Sequence, residues 1–227
     1  MATVLYDLAS TSHEASERLY ENKFDLTRRA LLKSAINYYS QVIELLCISD
    51  IDLMGRTLGM LGNCFHRLDD YTSAIFYHHQ RLDLARRTYD IYAEARANYN
   101  LGNAYIGLDK PLFAETYFNT AADLCPSAVN LFTAAVVLQA NGKYKQAIDK
   151  FNAVLACDDS SLHTSPTFNG SMLEKQRDYL KACNGLTSSE TNALQFDRQT
   201  DEIDLVTVLQ QMRTMSLDDQ RALLSNS

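Results

Sequence analysis

Apolar residues along much of the chain recur every three or four positions, which is the spacing of one face of an α-helix. Short polar breaks divide this pattern at Asp69-Asp70, Asp109-Lys110 and Asn141-Gly142. The pattern therefore predicts three helix pairs joined by tight turns. Their helices span about 53–68 and 72–88, 91–108 and 111–124, and 128–140 and 144–157.

The sequence also repeats itself with a period of forty residues. Leu61-Gly62-Asn63 recurs as Leu101-Gly102-Asn103, and Ala74 has its equivalent at Ala114. A period of this length is typical of helix pairs stacked into a helical solenoid. We expect a degenerate first pair with helices at about 14–23 and 27–48, so that the repeats cover residues 14–157.

The composition changes after Cys157. Residues 158–183 start with a loop-like run of Ser, Thr, Asp and Asn and end in a segment that can form a capping helix. Residues 184–202 have the polar composition of a flexible linker, and residues 203–224 regain apolar residues at helical spacing. We therefore predict an all-α protein: a helical solenoid, a flexible linker and a short C-terminal amphipathic helix.

Composition narrows the function classes. The 227 residues are 46% hydrophobic and 22% charged, with only 8 Gly and 3 Pro, which is typical of a folded helical protein. The formal net charge of −7 argues against nucleic acid as a partner, because phosphate neutralisation needs a basic surface. No apolar stretch is long enough for a membrane span, so we expect no direct membrane insertion. Five isolated cysteines suit reduced thiols in a cytoplasmic protein.

The first helix of two predicted pairs carries a repeated combination of polar residues. Arg56 and Asn63 lie seven residues apart, or about two turns, and Arg96 and Asn103 repeat this spacing one period later. Side chains on one face can clamp an extended peptide, because amides bind its backbone and guanidinium groups pair with carboxylates. The alternative is that these are solvated surface residues retained through duplication. The third pair has Val129 and Val136 at the equivalent positions, so any groove there is apolar or covered.

No residue pattern predicts catalysis or a metal site. His78 and His79 are adjacent and so point about 100° apart on a helix. Cys64 and His66 do not face each other on a helix either. The sequence contains no phosphate loop, nucleophile elbow or HExxH motif. We expect no catalytic residues, no metal and no enzyme activity.

The packing residues of the repeats resemble the tetratricopeptide repeat. Small residues at fixed spacing let two helices approach closely, and large residues fill the remaining gap. The pattern in the second predicted pair consists of Leu101, Gly102, Tyr105, Ala114, Phe118, Ala121 and Pro126. The preceding pair keeps Leu61, Gly62, Phe65 and Ala74, and the following pair keeps Ala135, Gly142, Tyr144, Ala147 and Phe151.

The C-terminal segment resembles a GoLoco motif, also called a G-protein regulatory motif. An acidic residue precedes paired apolar residues, a leucine and a terminal Asp-Asp-Gln-Arg. The matching residues are Asp204, Leu205, Val206, Leu209, Asp218, Asp219, Gln220 and Arg221. The sequence departs from the family at Arg213, where Gln is usual, and at Ser216, where Arg is usual.

Tetratricopeptide repeats followed by a GoLoco motif resemble the LGN/Pins family, and residues 61–86 are similar to an early repeat of that family. The resemblance implies a scaffold that binds inhibitory-class Gα in its GDP form and slows nucleotide release. It implies that Arg221 contacts the GDP held by Gα, that Gln220 orients the loop, and that Asp218 and Asp219 contact Gα. The protein itself would hold no cofactor.

The same resemblance implies a peptide partner of the Inscuteable or NuMA type in the repeat groove, at Arg56, Asn63, Arg96 and Asn103. It further implies recruitment to the cell cortex by Gα, with a role in spindle orientation or cell polarity. The alternative is a plain tetratricopeptide-repeat adaptor, whose last helix is a structural cap and which does not bind Gα.

Overall fold

The computed structural model describes residues 1–19, 25–46, 50–157 and 177–178. These residues form eight α-helices and contain no β-strand, which confirms the predicted all-α fold. The helices are α1 (Ala2–Arg18), α2 (Asp25–Leu45), α3 (Ile51–Arg67), α4 (Tyr71–Thr88), α5 (Ile91–Gly107), α6 (Pro111–Leu124), α7 (Ala128–Ala140) and α8 (Tyr144–Leu155).

The chain divides into two compact units, residues 1–125 and residues 126–227. In the first unit, α1 packs on α2, α3 on α4 and α5 on α6, while α2 contacts α3 and α4 contacts α5. First helices of successive pairs also touch, α1 with α3 and α3 with α5. In the described part of the second unit, α7 packs on α8, where the rings of Phe132 and Phe151 meet edge to face at 5.9 Å.

The first helix begins at Ala2 and ends at Arg18, so the predicted helix at 14–23 was wrong in its position. The residues before Glu14 are held in the helix by packing against α2. Ala9 is completely buried, and the ring of Tyr6 lies 5.5 Å from that of Tyr39, edge to face. The first helix pair therefore starts at Ala2 and not at residue 14.

Similar turns end several of the helices at the predicted polar breaks. Asp69 and Asp109 adopt left-handed backbone conformations with φ of 63° and 56°. The next backbone N–H then reaches back to a carbonyl five residues earlier, from Asp70 to Phe65 at 3.0 Å and from Lys110 to Tyr105 at 2.9 Å. This arrangement satisfies carbonyl groups that a helix end leaves without partners.

The small residues of the repeat pattern lie where two helices come closest. A Cβ atom at Gly102 would stand 2.7 Å from Cε1 of Phe118, well inside contact distance. Leu101, Ala114 and Phe118 are completely buried around it. A side chain at Gly102 would therefore force α5 and α6 apart.

Several sequence predictions lie outside the described residues. These are the loop and capping helix at 158–183, apart from residues 177–178, the linker at 184–202, and the amphipathic helix at 203–224. The GoLoco-like residues Leu205, Val206, Leu209, Asp218, Asp219, Gln220 and Arg221 fall in the last of these segments.

Candidate functional site

The repeated arginine and asparagine residues lie on two neighbouring helices of the first unit. Arg56 and Asn63 belong to α3, and Arg96 and Asn103 belong to α5, which contacts α3. Both helices run without interruption between the two positions, so each pair projects from one side of its helix. We call these four residues the Arg–Asn face.

Arg56 is held in place by two neighbours. Its Nη2 atom lies 2.9 Å from Oδ2 of Asp52 one turn earlier, and its Cζ atom lies 5.3 Å from the ring centre of Tyr6 on α1. The side chain remains 54% exposed. An exposed i,i+4 ion pair contributes little stability, so the guanidinium can exchange Asp52 for another carboxylate at low cost.

The asparagines are more buried than the arginines. Asn63 is half-buried, and its Oδ1 accepts a hydrogen bond from Nδ2 of Asn100 at 3.3 Å, which ties α3 to α5. Asn103 is half-buried too, whereas Arg96 is exposed. In the second unit, Val136 is buried and Val129 is half-buried, in agreement with an apolar or covered surface at these positions.

Arg81 of α4 is a residue of this region that the sequence analysis missed. It is only 8% exposed, and its Nε atom has no hydrogen-bond partner among the described residues. Its side chain crosses α3 at Gly59, where an added Cβ atom would stand 3.1 Å from Cδ and 2.9 Å from Cζ of Arg81. Gly59 lies between Arg56 and Asn63 on the same side of α3, at i+3 from one and i−4 from the other.

The charges around Arg81 show which residues surround it. Burial, and next the positive charge of Arg96, lower the pKa of Arg81 to about 10, while Asp90 and Tyr6 act in the opposite direction. The guanidinium therefore stays protonated at neutral pH. Residues of α1 and α5 thus influence a side chain that starts on α4 and passes over α3.

A comparison across one period shows that Gly59 and Arg81 both depart from the repeat. The equivalents of Gly59 and Arg81 are Tyr99 and Ala121. The earlier repeat has its small residue on the first helix and its large residue on the second, and the later repeat has the reverse. In the later repeat, Tyr99 packs edge to face on Phe118 at 5.5 Å, and Ala121 is completely buried. In the earlier repeat, the missing side chain at Gly59 leaves room for the guanidinium.

A second polar cluster joins α1 to α3. Nδ1 of His13 lies 3.0 Å from Sγ of Cys64, and Nε2 of His13 lies 3.6 Å from Oε1 of Glu17. Nη2 of Arg67 lies 2.8 Å from Oε2 of the same glutamate. The partner of Cys64 is therefore His13 of another helix, and Cys64 forms no pair with His66.

Cys64, His13 and Glu17 resemble a nucleophile, base and acid, but the pKa of the thiol is raised and that of the imidazole is lowered, which is the opposite of what catalysis requires. Burial, and next the charge of Glu17, raise the pKa of the Cys64 thiol far above its ordinary value. Burial, and next the charge of Arg67, lower the pKa of His13 to about 4. A completely buried neutral thiol beside a neutral imidazole is a poor nucleophile, so these contacts stabilise the packing of α1 on α3.

The described part of the chain has neither a metal-binding cluster nor a membrane-spanning helix. It contains no group of three or more His, Cys, Asp or Glu side chains placed to hold a metal ion. None of its helices is long and apolar enough to cross a membrane.

Comparison with known proteins identifies one repeat. Residues 95–127, which include α5 and α6, match the family model described as tetratricopeptide repeat. This match confirms the pattern that begins near Leu101 and ends at Pro126. No curated protein matches the sequence.

Solved structures with similar folds have low sequence identity. A Podosopora anserina protein assigned as a kinesin light chain, with nearly identical TPR-like repeats, has a TM-score of 0.56 at 14% identity, covering 91% of this chain and 97% of that one. BtubC from P. vanneervenii has a TM-score of 0.53 at 15% identity, covering 82% of this chain and 93% of that one.

Aspartyl phosphate phosphatase F from Bacillus subtilis has a TM-score of 0.55 at 18% identity. The match covers 84% of this chain but 48% of that protein, so this chain spans about half the length of the phosphatase. Identities this low establish the fold alone. The described chain therefore has a tetratricopeptide-like helical-repeat fold, with a tetratricopeptide repeat at residues 95–127.

Proposed function

We propose that this protein is a protein-interaction adaptor that binds an extended acidic peptide on its Arg–Asn face. The observation that supports the proposal is the recurrence of Arg56 and Asn63 as Arg96 and Asn103 on two helices in contact. A helical-repeat scaffold without catalytic groups in this region acts through its exposed side chains.

The chemistry of the face suits an extended peptide. An exposed guanidinium donates two parallel hydrogen bonds to a carboxylate, and a carboxamide donates to and accepts from a peptide backbone. Arg56 is already oriented by Tyr6 and Asp52, which reduces the conformational entropy lost on binding.

Charge reversal tests this assignment. The Arg56→Glu/Arg96→Glu variant is expected to bind a fluorescein-labelled poly-glutamate peptide at least tenfold more weakly than the wild type, measured by anisotropy at low salt. Arg87→Glu, at an exposed position on α4, is the matched control and should change the affinity by less than about threefold. Equal affinity of the double variant and the wild type would remove the Arg–Asn face from the binding site.

We propose further, from the GoLoco resemblance, that residues 203–224 bind GDP-loaded Gα of the inhibitory class and slow nucleotide release. The support is the sequence pattern Asp204-Leu205-Val206, Leu209 and Asp218 to Arg221. Arg221 is the residue whose planar guanidinium suits a phosphate of the bound GDP. Recruitment to the cell cortex and coupling to an Inscuteable or NuMA-type peptide belong to the same proposal.

A nucleotide-release assay tests the Gα proposal independently of the Arg–Asn face. The full chain at micromolar concentration should slow GDP release from inhibitory-class Gα, and Arg221→Ala should abolish this effect. Arg213→Ala removes the same charge from the same segment at a position where the family has Gln, and should retain most of the inhibition. If the wild-type chain left GDP release unchanged, the Gα proposal would fail and the plain adaptor would remain. A loss of thermal stability in Arg221→Ala would indicate that the segment is a structural cap.

A further inference from the structure

The Nε atom of the buried Arg81 side chain has no hydrogen-bond partner among the described residues. The side chain is more than nine-tenths buried, and it forms no ion pair among the described residues. Burying an N–H of a charged guanidinium without a hydrogen bond costs stability, so such groups normally face a carboxylate or a phosphate.

The path of the side chain shows where that anion would bind. Arg81 starts on α4 and crosses α3 at Gly59, between Arg56 and Asn63 of the Arg–Asn face. Arg96 on α5 is close enough to lower the pKa of Arg81, and Tyr6 on α1 lies beneath Arg56. Arg96 is therefore a neighbour of Arg81, and Tyr6 is a neighbour of both Arg56 and Arg81.

The charges of this region favour a carboxylate over a phosphate dianion. Asp52 pairs with Arg56, and Asp90 acts on Arg81 from the N-terminus of α5, where its side chain also caps the helix through Ala93 N–H at 2.9 Å. These two aspartates repel a phosphate dianion more strongly than a singly charged carboxylate.

We infer that Arg81, together with Arg56 and Arg96, forms a subsite for one side-chain carboxylate of the bound peptide. This inference rests on the proposed function, since it assigns a glutamate or aspartate of the peptide to a defined position. Arg81 is pre-oriented by burial, whereas Arg56 and Arg96 are exposed. It should therefore supply more of the preference for an acidic peptide than either exposed arginine.

NMR of the full wild-type chain tests the inference directly. The Arg81 Nε–H signal, assigned by its disappearance in Arg81→Gln, is followed at low salt while a blocked hexapeptide of alternating Ala and Glu is added. We expect the signal to shift with this peptide and to stay in place with the Ala-Gln hexapeptide. A wild-type signal that does not move with the Ala-Glu peptide would overturn the inference.

Peptide affinities of two arginine variants distinguish the Arg81 subsite from the rest of the Arg–Asn face. Arg81→Gln should weaken binding of the Ala-Glu peptide roughly tenfold or more, because hydrogen bonds to charged groups are the strong ones. Arg87→Gln, which removes the same charge from an exposed position of α4, should stay within about twofold.

Two further outcomes would contradict the subsite. If the Arg56→Glu/Arg96→Glu variant lost binding while Arg81→Gln kept it, the proposed function would stand and the Arg81 subsite would fail. If inorganic phosphate shifted the Arg81 signal at the same concentration as the peptide, the region would be a general anion site and the peptide assignment would be wrong.

Discussion

His78 of α4 lies against Gly62 of α3, in the position that Phe118 takes against Gly102 one period later. A Cβ atom at Gly62 would stand 2.6 Å from Nδ1 of His78, and one at Gly102 would stand 2.7 Å from the Phe118 ring. Both rings are buried, but Nδ1 of His78 has no hydrogen-bond partner among the described residues. A polar ring therefore occupies a site shaped for a phenyl ring, and the unpaired nitrogen costs stability.

Replacing this histidine should stabilise the protein. We expect His78→Phe to raise the free energy of unfolding by about 1 kcal/mol, since it removes an unsatisfied buried atom and keeps an aromatic ring against Gly62. Thermal and urea unfolding followed by circular dichroism would measure the change. The control is His79→Phe, whose half-buried ring faces Tyr117 at 6.0 Å and should change stability by less than about 0.5 kcal/mol. A His78→Phe protein less stable than the wild type would show that the phenyl ring does not fit.

The forty-residue period explains which parts of the fold were predictable. It aligned Gly62 with Gly102 and Ala74 with Ala114, and close helix packing requires small residues at these positions whatever surrounds them. The start of α1 was not predictable in this way, because that helix has no counterpart one period away. Between its packing residues Tyr6 and Ala9 lies an exposed Leu8, so apolar character alone does not identify the buried face, and the contacts with α2 are visible only in the structure.

The candidate site was predictable to a similar extent. The spacing of Arg56 and Asn63 on a helix places them on one face wherever the helix lies. Arg81 differs because it starts on the second helix of the pair, at a position where the next repeat has Ala121. Its role depends on the absence of a side chain at Gly59, a tertiary relationship that helical periodicity does not report.

Stability should decrease in mild acid because of the two buried histidines. The pKa of His13 falls from an ordinary 6.5 to about 4, and burial also lowers that of His78. Below pH 6.5 the unfolded chain therefore binds protons that the folded chain does not, so stability is full above about pH 6.5 and is lost towards pH 4. Glu17, whose pKa is raised mainly by burial, acts in the opposite direction just above pH 4.5.

Urea unfolding at pH 7.5, 6 and 5 would measure this dependence. We expect the wild-type free energy of unfolding to fall by about 1 to 3 kcal/mol between pH 7.5 and 5. The His78→Phe variant should lose less over the same range, because only His13 then contributes. A wild type whose stability is constant or rises between pH 7.5 and 5 would contradict the assignment of both histidines as neutral in the folded state.

Cys64 should be protected from alkylation in the native protein. Its thiol is completely buried beside His13 with a raised pKa, whereas Cys125 and Cys157 are half-exposed. Native iodoacetamide labelling followed by peptide mass spectrometry should modify Cys125 and Cys157 at least tenfold faster than Cys64. Labelling in urea should equalise the three rates, and equal rates without urea would mean that α1 does not cover Cys64 in solution.

Exchanging Gly59 and Arg81 for their counterparts one period later should reveal their coupling. Gly59→Tyr alone forces a ring into the space of the Arg81 side chain and should destabilise by about 2 kcal/mol or more. Arg81→Ala alone removes a buried charge but leaves a void over Gly59, so the two effects partly cancel. The double variant rebuilds the packing of Tyr99 and Ala121 and should be more stable than the sum of the single changes by about 1 to 3 kcal/mol.

Urea unfolding of the four proteins measures this coupling energy, and additivity within about 0.5 kcal/mol would show that Gly59 does not make room for Arg81. Because the double variant stays folded but lacks the buried guanidinium, it should also lose the preference for the Ala-Glu peptide over the Ala-Gln peptide.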